Sequence, residues 1–158
     1  MGIRQKVQTE ALVDSGATTN FVDRVIVENN NLATHKLANP YRVINADGTP
    51  NKAGQITEYV RAYVEIGSHK TTQHLFVTNL GNKEMMIGYS YLYKHNPNID
   101  WRKGQWEFTR CPDTCANKVC KKRDVEAGAN KLHLEIDVSG FPSLDDIGDE
   151  DPNNHILS

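Results

Sequence analysis

The sequence predicts a small all-β barrel or sandwich. Two observations carry that expectation: apolar residues come in short, mostly alternating stretches, and glycine-bearing turns separate them. A third sets the scale, because 158 residues suffice for one compact domain, with or without an appendage.

The elements follow in chain order. Val7 to Val13 alternates loosely and stops at Asp14-Ser15-Gly16. Phe21 to Val27 spaces its apolar residues by three to four, the period of a short helix. Tyr41 to Ile44 leads into Asn45-Ala46-Asp47-Gly48, and Asp-Gly is a strong signal for a tight hairpin turn. Ile56 to Ile66 alternates through Val60, Ala62, Val64 and Ile66 and ends at a second turn, Gly67-Ser68. Thr71 to Thr78 puts Leu75 and Val77 on one face and Phe76 on the other. Tyr89 to His95 reads as a second short helix, stopped by Asn96-Pro97 because the residue before a proline is driven out of the α region. Ile99-Asp100-Trp101 and Gln105 to Phe108 flank Arg102-Lys103-Gly104 as a compact hairpin, with Trp101 and Trp106 expected in its core. No internal repeat is visible.

Composition bounds the rest. A mean hydropathy of -0.59 and a hydrophobic share of 38% are polar for a fully packed chain of this length. The net charge of -2 is unevenly spread. Met1 to Arg123 carries 17 Lys+Arg against 11 Asp+Glu, whereas Asp124 to Ser158 carries one basic residue, Lys131, against nine acidic ones. A segment so acidic and so poor in aromatics cannot bury enough apolar surface to offset its ordering entropy. Residues 1–110 are therefore expected to form the folded domain, and residues 111–158 a Cys- and Lys-containing linker with an acidic, largely disordered tail. Some strand character remains at Lys131 to Val138, where Leu132, Leu134, Ile136 and Val138 alternate with polar residues. No apolar run approaches the ~20 residues of a membrane span. Met1 to Lys6 leads into polar sequence rather than the apolar stretch of a secretory signal, and Lys6 stands where a myristoylation pattern wants Ser or Thr. Three cysteines, Cys111, Cys115 and Cys120, make no disulfide framework. An intracellular, cytoplasmic setting is expected.

Chemistry concentrates at Asp14-Ser15-Gly16-Ala17, between the apolar Ala11-Leu12-Val13 and Thr18-Thr19. A glycine there lets two backbones approach closely, and a serine hydroxyl can brace the turn. The carboxylate is then held rigidly at the floor of a cleft. If a second carboxylate faces it at hydrogen-bonding distance, both cannot ionise and the pair shares one proton. One member acts as base on a bound water while the other donates a proton to the scissile carbonyl.

Four blocks in order resemble the retroviral-type aspartic proteases (retropepsins), most closely those of Ty3/gypsy-class retrotransposon polyproteins. They are Ala11 to Thr18, Asn45-Ala46-Asp47-Gly48-Thr49 with Gly54 after it, Met85-Met86-Ile87-Gly88-Tyr89-Ser90-Tyr91-Leu92, and His95-Asn96-Pro97-Asn98-Ile99-Asp100-Trp101. The resemblance spans about Val7 to Phe108. It implies a small closed barrel of the acid-protease type with one or two short helices. It implies Asp14 as the catalytic aspartate, Ser15 completing its triplet, and Gly16 and Ala17 beside the substrate backbone. Ala46, Asp47 and Gly48 would then form the tip of a flap that closes over bound peptide. Ile87 and Gly88 would support the catalytic loop from beneath. Ser15 and Tyr89 depart from the residues usual in the family. The sequence holds one Asp-Ser-Gly and no Asp-Thr-Gly, so the second carboxylate must come from another copy, in a C2 homodimer. The implied activity is endoproteolysis of a retroelement polyprotein, in the cytoplasm or within retroelement particles, without metal or organic cofactor. The alternative is a catalytically vestigial dimerisation or peptide-binding module.

Other features point elsewhere less strongly. Cys111, Cys115 and Cys120 lack the tight pair and following histidine of a zinc knuckle, and are expected to be reduced surface thiols. The six histidines are scattered, with no pair at metal-ligand spacing. Lys118, Lys121, Lys122 and Arg123 lack interleaved aromatics and read as a solvated linker, so no nucleic-acid partner is expected for this domain.

Overall fold

In the computed structural model the described residues are 6–44, 47–67, 69–112, 115 and 131–137. The elements are β1 (Lys6–Val13), β2 (Phe21–Asp23), α1 (Arg24–Asn29), β3 (His35–Ile44), β4 (Pro50–Ile66) and β5 (His69–Thr78), followed by β6 (Met85–Ile87), α2 (Tyr89–His95), β7 (Asn98–Asp100), β8 (Gln105–Glu107) and β9 (Lys131–Asp137). The main sheet runs β3-β4-β5-β2-β6-β1-β9, and β9 also pairs with β4. That last pairing closes β4, β5, β2, β6, β1 and β9 into a six-strand barrel, which removes their exposed edges. β3 stays outside as the outer strand of a long hairpin with β4. The expected all-β closed barrel with two short helices is what the chain adopts.

Alternation explains the core. Along β4, Val60, Ala62, Val64 and Ile66 are all fully buried, and their partners across the barrel include Val22, Leu75, Met85, Ile87 and Ile136. Each fully buried Val, Leu or Ile is worth about 1.5–3 kcal/mol against exposure. Phe76 faces away from Leu75 and Val77, as its place in the alternation requires. It joins Phe21, Ile56 and Tyr59 in a second cluster that also takes in Leu37, Tyr41 and Val43 of the hairpin. Gly67, with φ of 58°, carries the turn from β4 to β5. α2 ends where Asn96 takes a left-handed conformation, φ 41°, just before Pro97.

Three expectations are corrected. The helix expected over Phe21 to Val27 begins only at Arg24. Phe21 to Asp23 is pulled into the sheet instead, parallel to β5 and antiparallel to β6. Asp23 then caps α1, its Oδ1 accepting from the Val25 N–H at 2.9 Å and its Oδ2 from the Leu80 N–H at 2.7 Å. Trp106 is in the core, but Trp101 is 59% exposed, because it begins the tight turn from β7 to β8 that Gly104 (φ 62°) completes. Cys111 and Cys115 are not surface thiols: Cys115 is buried and Cys111 half-buried.

β9 lies in the segment assigned to linker and tail, so the barrel draws a strand from beyond residue 110. It runs antiparallel to β1 over Lys6 to Leu12 and to β4 over Tyr63 to Glu65, and Ile136 fills the seam between them. Cys120, the Lys118 to Arg123 run and the acidic stretch from Leu144 to Asp151 lie outside the described residues. Among those described, no helix is long and apolar enough to cross a membrane.

Candidate active site

The end of β1 is set by its neighbour. β1 and β6 are parallel, with Val13 opposite Ile87, and the Asp14 N–H donates to the Ile87 carbonyl at 2.9 Å. The chain then leaves the sheet in a turn closed by the Ala17 N–H on the Asp14 carbonyl at 3.1 Å. The Gly16 N–H donates to Asp14 Oδ1 at 2.9 Å, which fixes the direction of the carboxylate. Asp14 is half-buried, whereas Ser15 and Gly16 are exposed. Ala17 turns inward and packs against the second cluster.

A second loop crosses beneath the first. The N–H groups of Tyr89 and Ser90 donate to the carbonyls of Ala17 (2.7 Å) and Thr18 (3.2 Å). No side chain caps α2, so its first-turn donors are satisfied by the Asp14 loop itself. A Cβ at Gly88 would sit 2.0 Å from the Thr19 carbonyl oxygen and 2.8 Å from that of Ala17. Only glycine permits this approach. The Gly88 N–H donates to Asn20 Oδ1 at 2.9 Å, and Asn20 Nδ2 donates to Gln73 Oε1 at 3.1 Å. Asn20 is thus a support residue that sequence reasoning missed; nothing in its neighbours marks a buried asparagine as one.

The β3/β4 hairpin reaches the same loop. Thr18 Oγ1 and the Tyr41 hydroxyl are 3.2 Å apart, and Tyr41 also packs on Phe76. At the tip, Asp47 Oδ1 accepts from the Thr49 hydroxyl (2.6 Å) and N–H (2.9 Å), and Gly48 takes φ of 84°. The Thr49 hydroxyl, and then its N–H, hold the Asp47 carboxyl below the usual carboxylate range. Of the residues expected at the site, Asp14, Ser15, Gly16, Ala17, Ile87 and Gly88 come together in the two crossed loops. Asp47 and Gly48 stand at the hairpin tip, and Ala46 lies outside the described residues. A groove of about 550 Å3 lined by Gln8, Thr9, Glu10, Glu65, Gly67, Glu84 and Glu135 contains no residue of these loops.

A separate cluster lies at the far end of α2. His69 and His95 are buried, with ring centroids 4.9 Å apart, and His69 stacks on Phe108 at 3.8 Å. His69 Nε2 is 3.2 Å from Cys111 Sγ, and His95 Nδ1 is 3.4 Å from Cys115 Sγ. Burial pulls the His69 pKa down to about 4. Burial first, then the neighbouring His69 and Lys94, pulls His95 down to about 3. Sequence spacing gave no sign of this cluster: residues far apart in the chain meet because β5, α2 and the segment after β8 converge.

A family model described as the PEG10/RTL1 protease domain matches residues 10–117, a span that contains both crossed loops and the hairpin.

Proposed function

The chain belongs to the PEG10/RTL1 protease-domain family, Ty3/gypsy-derived and retropepsin-like, and from that membership we propose that it is an aspartic-type endopeptidase acting as a homodimer. The observation that carries the reading is the Asp14 carboxylate, half-buried just after β1, with one oxygen held by the Gly16 N–H on a loop that Gly88 lets the α2 start cross closely.

One chain supplies one such carboxylate. On a twofold axis, two Asp14 side chains at hydrogen-bonding distance share a single proton. The unprotonated carboxylate takes a proton from water as the water oxygen bonds to the scissile carbonyl carbon. The protonated one gives its proton to the carbonyl oxygen. The first carboxyl then gives that proton to the amine nitrogen as the C–N bond breaks, and the second takes a hydroxyl proton of the collapsing diol, which restores the singly protonated pair. No covalent intermediate forms and no cofactor is called for. The exposure of Ser15 and Gly16 suits burial against a second copy, and the β3/β4 hairpin is suited to cover an extended peptide. The substrate class is a polypeptide, in the first instance the retroelement-type polyprotein that includes such a domain.

The test is cleavage of a long, apolar-centred peptide at mildly acidic pH by protein shown to be dimeric. Wild type should cut, with inhibition by a pepstatin-type compound, and Asp14→Asn should lose about 100- to 10,000-fold in rate, as expected when an acid–base group is removed. Cleavage that Asp14→Asn leaves unchanged would refute the reading, and so would dimeric wild type that cuts nothing, the result expected of a dimerisation or peptide-binding module.

A further inference from the structure

We propose that His69, His95, Cys111 and Cys115 form a structural zinc site, a His2Cys2 tetrahedron that ties the end of α2 to the start of β5 and to the segment after β8. One ligand atom from each residue lies within 4.8 Å of all the others. Zinc at ~2.3 Å from sulfur and ~2.0–2.1 Å from nitrogen in a tetrahedron puts each N···S pair roughly 3.5 Å apart. His69 Nε2 to Cys111 Sγ is 3.2 Å and His95 Nδ1 to Cys115 Sγ is 3.4 Å, within a few tenths of an ångström of that spacing, and the remaining ligand atoms, up to 4.8 Å apart, would close in by up to about 1 Å on a metal. The two sulfurs are not joined in a disulfide. The Cys115 N–H donates to the Pro112 carbonyl at 3.0 Å, which holds Cys115 near Cys111.

The surroundings are those of a ligand set. The nitrogen of His69 that would not bind metal, Nδ1, is 3.2 Å from the Tyr91 hydroxyl, an orienting partner of the kind that metal-bound imidazoles usually have. The other nitrogen of His95, Nε2, lies 3.4 Å from Gln73 Nε2, while the Gln73 carboxamide oxygen stays on Asn20 Nδ2 at 3.1 Å. Charge also fits. Each thiol loses its proton on ligation, two protons in all, and Zn2+ with two thiolates and two neutral imidazoles has no net charge, as a site so deeply buried requires. Paired thiolate and imidazole donors in a tetrahedron suit zinc rather than calcium or magnesium, which take oxygen ligands. All four positions are filled by protein, so the role is structural. α2 begins on the Asp14 loop and ends in this cluster, and Gln73 links His95 to the Asn20 that holds the Gly88 N–H. The metal would anchor the far end of the helix that supports that loop, and nothing in this requires proteolysis.

The test uses the full chain, reduced, produced with zinc and desalted, with metal content measured by mass spectrometry and cobalt(II) as the spectroscopic probe. One zinc per chain is expected. The cobalt form should show the strong visible bands of a tetrahedral centre together with thiolate-to-cobalt charge transfer. Cys111→Ser and Cys115→Ser should each weaken zinc binding by at least about 10-fold and reduce the charge-transfer band. Cys120→Ser should change neither. Chelation should lower the Tm reversibly. Folded, reduced wild type that retains no zinc and leaves cobalt octahedral would overturn the assignment, whether or not the variants fold. So would charge transfer that depends on Cys120 and survives the Cys111→Ser and Cys115→Ser changes.

Discussion

Gly88 is where a single atom decides whether the site can exist. Its missing Cβ leaves room for two backbone carbonyls, and backbone cannot swing aside as a flexible side chain can. Gly88→Ala should therefore lower stability by about 3 kcal/mol, read as a shift in denaturant midpoint at constant m-value. Glu84 carries a pH dependence. The Thr9 hydroxyl first (2.6 Å) and the Glu10 N–H second (3.0 Å) stabilise its charged form and pull its pKa below the ordinary glutamate value. A carboxyl with a lowered folded-state pKa stabilises the protein fully above its unfolded value and loses that contribution as pH falls through the folded one. Glu84→Gln should reduce the Tm at neutral pH and make its fall on acidification shallower; an unchanged acid limb would contradict this. At this scale Asp14, Gly16 and Gly88 were legible because each sits in a local motif whose chemistry its neighbours share. Asn20, His69 and His95 were not, because their partners are supplied by chain segments far away in sequence.

Among the elements, those whose signal is local were the ones the sequence announced. The alternation of β4, the Asp47-Gly48 turn and the Asn96-Pro97 stop of α2 each follow from neighbouring residues. β2 was hidden, because three residues carry no period and owe their conformation to β5 and β6 on either side. β9 was half visible: its alternation could be read, but its place between β1 and β4 could not, since an acidic flank suggested a tail. The consequence is testable. Ile136 is fully buried in the seam that β9 closes, so a chain ending at residue 130 should lose cooperative thermal unfolding, followed by circular dichroism, whereas one ending at residue 137 should keep it. Retention of the full transition by the shorter chain would show the barrel to be stable without its sixth strand.

At the scale of the whole molecule, the proposed function makes a monomer of this fold an incomplete catalyst. The barrel delivers one pinned carboxylate at the end of β1, and the loop that bears it leaves Ser15 and Gly16 exposed. In the proposed homodimer symmetry would supply what the single chain lacks, and activity would depend on pairs of intact chains rather than on their number. The most direct measurement mixes wild type with Asp14→Asn at fixed total concentration, lets subunits exchange, and follows the cleavage rate against the wild-type fraction. The rate should fall as the square of that fraction, to roughly one quarter at equal mixing, because only dimers with two Asp14 residues cut. A linear fall, to about one half, would mean that each chain works alone and would contradict the shared dyad.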